Sequence, residues 1–232
     1  MTQNNQALVD EKQIPKGYKK TIVGVFPIDW EISQLKDIAN FGGGTTPSRA
    51  LYNRYYAIEG HAWVKTLDLN NDKIYRTQEY ITDTALSEVA IKLHSPNIVL
   101  VAMYGGFNQI GRTGLLKVNA AINQALVAIK PNSSILDSEF LQYNLNYRVD
   151  YWKSVASSSR KDPNITSNDV KAYVLAFPNV KEQQKIANSL SDTDTLISEL
   201  EKLIEKKQAI KTATMQQLLT GKTRLPEFAL RE

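Results

Sequence analysis

One stretch near the C-terminal end constrains this chain more than any other. From Val180 to Thr220 it reads VKEQQKIANSLSDTDTLISELEKLIEKKQAIKTATMQQLLT, about 40 residues without glycine or proline. Asn179 with Glu182 three residues on is a capping-box-like start, and Gly221 with Pro226 beyond it is a stop. The stretch predicts one helix over residues 179–221, roughly 60 Å long at about 1.5 Å per residue. Its apolar residues follow a heptad. Leu190, Ile197, Ile204 and Leu218 share one line, Leu200 lies on the next, and Leu196, Leu203 and Ile210 lie on a neighbouring line. Ile186 leads into this pattern, and Lys207 and Lys211 interrupt it. A domain of about 160 residues is only about 30–35 Å across. The helix therefore overhangs it, and the stripe, wider than a two-helix seam, suggests packing against more than one surface; a coiled coil with a helical partner is expected, with a helix lying on its own domain as the alternative.

The rest of the chain has another character. Residues 1–20 are polar, lack an apolar signal core and read as a flexible arm, and residues 222–232 read as a tail. Residues 21–178 read as a loop-rich mixed α+β domain. "VFPIDWEISQLKDIANF" suggests a strand or turn running into a short helix. "HAWVKTLDL" and "NIVLVAMYG" have strand character, and "GRTGLLKVNAAINQALVAIKP" reads as strand, turn and strand. "LDSEFLQYNLNYRVDYW" reads as a helix capped by Asp137, with Phe140, Leu141, Leu145 and Tyr147 at helical spacing.

Composition narrows the function. There is no cysteine, which removes disulfides and thiolate metal sites, and no apolar run spans a bilayer; a cytoplasmic protein is expected. The net charge of +4 permits a nucleic-acid partner without demanding one. Residues 103–180 hold 8 Lys/Arg against 5 Asp/Glu, while 1–102 balance at 11 against 11, so the excess sits mostly in the later part of the domain.

The catalytic signatures fail on spacing. "GKT" at Gly221 lacks the strand and the upstream glycine of a phosphate-binding loop. "GGFNQIGRTG" lacks dinucleotide spacing, His61 and His94 are not spaced as a metal pair, and no serine sits in a nucleophile elbow. Three loops fit nucleic-acid contact better. "GGGTTPSRA" offers Gly43 for close approach, the hydroxyls of Thr45, Thr46 and Ser48, and Arg49, although the same residues also make a tight surface turn. "MYGGFNQIGRTG" supplies Tyr104, Asn108, Gln109 and Arg112. "SSSRKDPN" supplies Ser157, Ser158, Ser159, Arg160 and Lys161, and Lys65 completes the set. Arg suits guanine, and Asn and Gln suit adenine.

Taken in order, "FPIDWEISQLKDIANFGGGTTPS", "INQALVAI" and "DPNITSNDVKAYVLAFPNVKEQQKIA" leading to "LLTGKTRL" resemble the specificity subunits of type I restriction–modification systems. That resemblance implies a target recognition domain followed by a spacer helix, a pair that full subunits usually carry twice. It implies duplex DNA and methyltransferase subunits as partners, with the restriction subunit joining indirectly. It implies no catalysis in this chain, which lacks the [DN]-P-P-[YF] motif; S-adenosylmethionine, ATP and magnesium would belong to the partner subunits. A single recognition domain and helix imply a half subunit, whose helix pairs with a second copy or with another specificity fragment. A decoy that occupies its partners without productive DNA binding, or a small phosphate-ester enzyme using the glycine-rich loop, are the competing readings.

Overall fold

The computed structural model describes residues 14–106, 108–156 and 164–229. In chain order it opens with strands β1 (Tyr18–Thr21), β2 (Gly24–Pro27) and β3 (Glu31–Gln34), helix α1 (Leu35–Ile38) and β4 (Ala39–Gly43). Next come α2 (Tyr52–Tyr55), β5 (Tyr56–Ala57), β6 (His61–Val64), β7 (Asp72–Ile74), β8 (Tyr80–Ile81) and α3 (Asp83–Glu88). Strands β9 (Val99–Ala102), β10 (Thr113–Leu116), β11 (Ala120–Ile122) and β12 (Leu126–Pro131) follow. The order ends with α4 (Ser138–Tyr147), α5 (Val149–Val155), α6 (Ser167–Lys171), β13 (Val174–Phe177) and α7 (Val180–Leu219). The mixed α+β class and the long helix are as the sequence predicts.

A five-stranded sheet, β4-β12-β9-β10-β7, faces a four-stranded sheet, β11-β6-β8-β5. Alternation along the central strands explains the layering. Val99 and Val101 of β9, with Val127 and Ile129 of β12, enter the core shared with α4, α5 and α6. Leu100, Ala102, Leu126 and Ala128 point the other way, into the core between the sheets. Burial on both faces is why these strands read as unbroken apolar runs. On the second sheet, Trp63 and Ala121 turn to a third, smaller core with Tyr55 and Ala85.

Three local expectations are corrected. "GRTGLLKVNAAINQALVAIKP" makes three strands, not two, because the short β11 leaves the first sheet and pairs in parallel with β6, far away in sequence. "LDSEFLQYNLNYRVDYW" breaks at Arg148 (φ −106°, ψ 30°) into α4 and α5. Asp137 does cap α4, accepting from the backbone N–H of Glu139 and Phe140 at 2.9 and 3.0 Å, but Tyr147 is 89% exposed while Gln142 is buried. Residues 18–20 belong to β1, paired with β2, while residues 1–13 of the expected arm lie outside the described residues.

The chain divides into two compact units, Met1–Ala187 and Asn188–Glu232, so the first unit takes in the opening turns of α7. Asn179 Oδ1 caps that start, accepting from the Glu182 N–H at 3.1 Å. Gln183 is fully buried one position on: its amide accepts from the Asp137 N–H at 2.8 Å and donates to the carbonyls of Ile135 (2.8 Å) and Pro178 (2.7 Å). Ile186 packs against the main core and Ala187 lies inside it. At the other end Gly221 adopts φ +69°, the left-handed stop that glycine takes without strain. The "GKT" there is a helix terminus.

Candidate nucleic-acid interface

The loop after β4 is held by backbone contacts. A Cβ on Gly44 would sit 2.1 Å from the carbonyl oxygen of Ile122, so glycine here answers to the neighbouring strand and not to a ligand. The Thr45 N–H donates to Ile122 O at 3.0 Å, Trp63 Nε1 donates to Thr45 O at 3.2 Å, and the Tyr56 hydroxyl donates to Pro47 O at 2.7 Å. Gly43 is exposed with open space where a side chain would be, and the Thr45 and Ser48 side chains face solvent. The loop is therefore a built turn that also presents hydroxyls.

Arg49 is not a free reader. Its guanidinium lies 4.3 Å from the Tyr56 ring centre and 5.3 Å from that of Trp63, and pairs with Glu79 at 2.7 Å. Lys65 reaches the other oxygen of the same carboxylate at 2.9 Å. Burial pushes the Glu79 carboxyl up, but Lys65 and Arg49 together hold it below the ordinary carboxylate value. Two cations share one anion here, and the excess positive charge is one.

Arg112 differs. It is half-buried, and its Nε donates to the carbonyl of Asn108 at 2.8 Å, which fixes the plane of the guanidinium. No carboxylate pairs with it among the described residues. Ile110, 1% exposed, anchors the loop in the main core. Gln109 is less available than the sequence suggests, because its Oε1 is enclosed and has no partner among the described residues.

Contacts join these loops into one surface. Tyr104 Oη donates to the backbone carbonyl of Gln124 at 2.6 Å, and the Thr46 hydroxyl donates to Gln124 Oε1. A Cβ on Gly105 would lie 3.4 Å from Thr66, the neighbour of Lys65. Gln124, Glu79 and Trp63 are participants that sequence reading missed. Only Gln124 had a signal, its place in "INQALVAI". Ser157, Ser158, Ser159, Arg160 and Lys161 lie outside the described residues. On the near side of that segment, Ile165 is buried and its N–H donates to Met103 O at 2.9 Å, next to Tyr104.

The histidines have local roles. His61 Nε2 pairs with Asp83 at 2.7 Å. His94 lies against Gly42, and burial holds its imidazole below the ordinary value, against a hydrogen bond to the Gly43 backbone. No cluster of three or more metal-ligating side chains occurs among the described residues, and none of the described helices is long and apolar enough to cross a membrane.

The second unit presents the stripe. Leu190, Leu196, Ile197, Leu200, Leu203, Ile204, Ile210 and Leu218 are each between 36 and 56% exposed, and Met215 at 48% extends the line. Leu203, Ile204, Lys207, Gln208 and Lys211 line a shallow concavity on that face.

Residues 27–212 match the type I restriction modification DNA specificity domain. The MjaIX specificity subunit of a type I restriction enzyme from Methanocaldococcus jannaschii is 30% identical over 190 residues, covering 80% of this chain and 42% of that protein. The EcoR124I/EcoR124II specificity subunit from Escherichia coli is 25% identical, covering 75% and 42%. Among solved structures, the HsdS subunit from Thermoanaerobacter tengcongensis has the same fold at 16% identity, with a TM-score of 0.61, covering 87% of this chain and 47% of its own. The chain thus spans about half the length of the relatives it matches.

Proposed function

The chain belongs to the type I restriction–modification DNA specificity family, and from that premise we propose that it reads one half of a bipartite duplex DNA site. It directs separate methyltransferase subunits to that site, and through them the restriction subunit. The chemistry, with its S-adenosylmethionine, ATP and magnesium, belongs to those subunits. In this reading Arg112 is the foremost base-edge candidate, since its guanidinium is oriented by Asn108 and free of a carboxylate among the described residues. The hydroxyls of Thr45 and Ser48 suit backbone phosphates.

One observation carries the dimeric form of the proposal: the apolar stripe of α7 stays exposed from Leu190 to Leu218. A second copy, paired antiparallel, removes that stripe from water and places a reader at each end of the pair. Lys207 and Lys211 beside the concavity suit a mate with acidic groups opposite, which keeps another specificity fragment as the alternative partner. The test is to map methylated bases in DNA from cells that hold this chain and its methyltransferase. A symmetric, interrupted site supports the self-pair, an asymmetric site points to a heterologous mate, and methylation unchanged by removing this chain sinks the proposal.

A further inference from the structure

The tip of the turn between β11 and β12 joins two of the candidate loops through a single residue. That residue, Gln124, is exposed, and it lies where the chain crosses from one sheet to the other. The turn beneath it is tied down by hydrogen bonds. Asn123 donates its N–H to Val64 O at 3.0 Å, and Asn123 Oδ1 accepts from the Ala125 N–H at 3.1 Å. The backbone around Gly44 lies directly on this turn, 2.1 and 2.3 Å from the carbonyl oxygens of Ile122 and Asn123 when measured from its missing Cβ. Both acceptors of Gln124 then reach outward to different loops. Its backbone carbonyl takes the Tyr104 hydroxyl at 2.6 Å, and its side-chain oxygen takes the Thr46 hydroxyl.

We infer that Gln124 is a positioning residue for DNA reading, holding the Thr46 loop and the Tyr104–Arg112 loop in one fixed arrangement. This rests on the proposal that the surface reads DNA. Such a tie acts by pre-organisation. A base-reading guanidinium loses discrimination when its loop can shift by a fraction of an ångström. The loop that carries Arg112 turns at Gly105 and Gly106, with φ of +124° and +89°, and is closed at its base by the Gly111 N–H on Ala102 O at 3.0 Å and the Ala102 N–H on Arg112 O at 2.9 Å. Ile110 anchors the far side of that loop in the core, and Tyr104 on Gln124 anchors the near side. Thr46 on Gln124 ties in the hydroxyl loop. The contacts cross 20 and 78 positions of sequence, and they add side-chain ties to the backbone ones that Met103 N–H makes to Ala125 O at 2.8 Å and Thr45 N–H makes to Ile122 O at 3.0 Å.

The test uses the full chain and a pool of duplex DNA with a randomised central segment. Enrichment of sequences by the parent is compared with that by Thr46→Val, Gln124→Met, the pair together, Tyr104→Phe and Thr46→Ser. Thermal melts of each protein are recorded alongside. Thr46→Val and Gln124→Met are each expected to lower enrichment by about fivefold, the worth of one lost hydrogen bond. The double variant should be no worse than either single, because both remove the same contact. Tyr104→Phe should reduce enrichment while the melting temperature stays within a few degrees, and Thr46→Ser should restore the parent profile. Losses that multiply in the double variant overturn the inference in favour of separate DNA contacts. Unchanged enrichment in all variants overturns it outright, as does loss that only follows a fall in melting temperature. A parent that enriches nothing overturns the DNA-reading proposal itself, and this inference with it.

Discussion

Arg49 and Arg112 are both loop arginines in the sequence, and the fold gives them different work. Arg49 is caged by Tyr56 and Trp63 and paired with Glu79, which it shares with Lys65; Arg112 is oriented by a carbonyl and has no carboxylate partner among the described residues. Arg112→Ala should cost about 1–3 kcal/mol in binding to the cognate duplex and relax base preference at one position. Arg49→Ala should instead cost about 1 kcal/mol of folding stability, since its side chain is 46% exposed and solvent screens the pair, with base preference kept. Binding isotherms and urea melts on both variants separate the two effects, and equal loss of base preference in both would refute the distinction. The difference could not be read from the sequence. Glu79 is 30 positions from Arg49, and the acceptor for the Arg112 side chain is a backbone group that any residue would supply.

At the level of elements, the long helix and its caps were legible because composition, Asn179 and Gly221 all act locally. The β11 strand and the Arg148 break were not, since each is decided by partners distant in sequence. The attachment of α7 was only partly legible: the capping residue showed in the sequence, but the buried Gln183 did not. Gln183→Ala would leave the Asp137 N–H and the carbonyls of Ile135 and Pro178 without their partner. It should cost at least about 2 kcal/mol, read as a lower urea midpoint. A second element contact is ionic. Glu139 of α4 meets Lys117 at 2.7 Å and Lys73 at 3.2 Å. Burial pushes its carboxyl up, yet the two lysines hold it below the ordinary 4.5. A carboxylate lowered on folding stabilises the protein above its unfolded value, and that contribution is lost as the pH falls through the folded one. Parent and Glu139→Gln should therefore differ most in stability above pH 4.5 and converge below it. A difference that grows on acidification would show the sign to be wrong.

At the scale of the whole molecule, the exposed stripe of α7 is the feature that asks for a partner. Eight leucine and isoleucine side chains at 36–56% exposure along one helix are more apolar surface than a soluble monomer usually leaves contiguous. The proposed two-fold antiparallel pairing would bury them and make the two readers identical, and two identical readers would meet the same half-site on opposite strands. The target should be an interrupted palindrome, with half-site centres about 10 base pairs apart if both readers approach one face of the duplex. Seven residues are two helical turns, and deleting 202–208 keeps the heptad register while shortening the helix by about 10 Å. The unread spacer should then contract by up to about three base pairs, since duplex DNA rises about 3.4 Å per pair. Placing aspartate at both Ile197 and Ile204 puts charge on the seam at positions 50 and 56% exposed in the single chain, where the unpaired fold tolerates it and the pair does not. That variant should be monomeric by light scattering and lose directed methylation, and circular dichroism should show its first unit still folded. Directed methylation by a monomeric variant would mean that one reader suffices and that the stripe serves another partner.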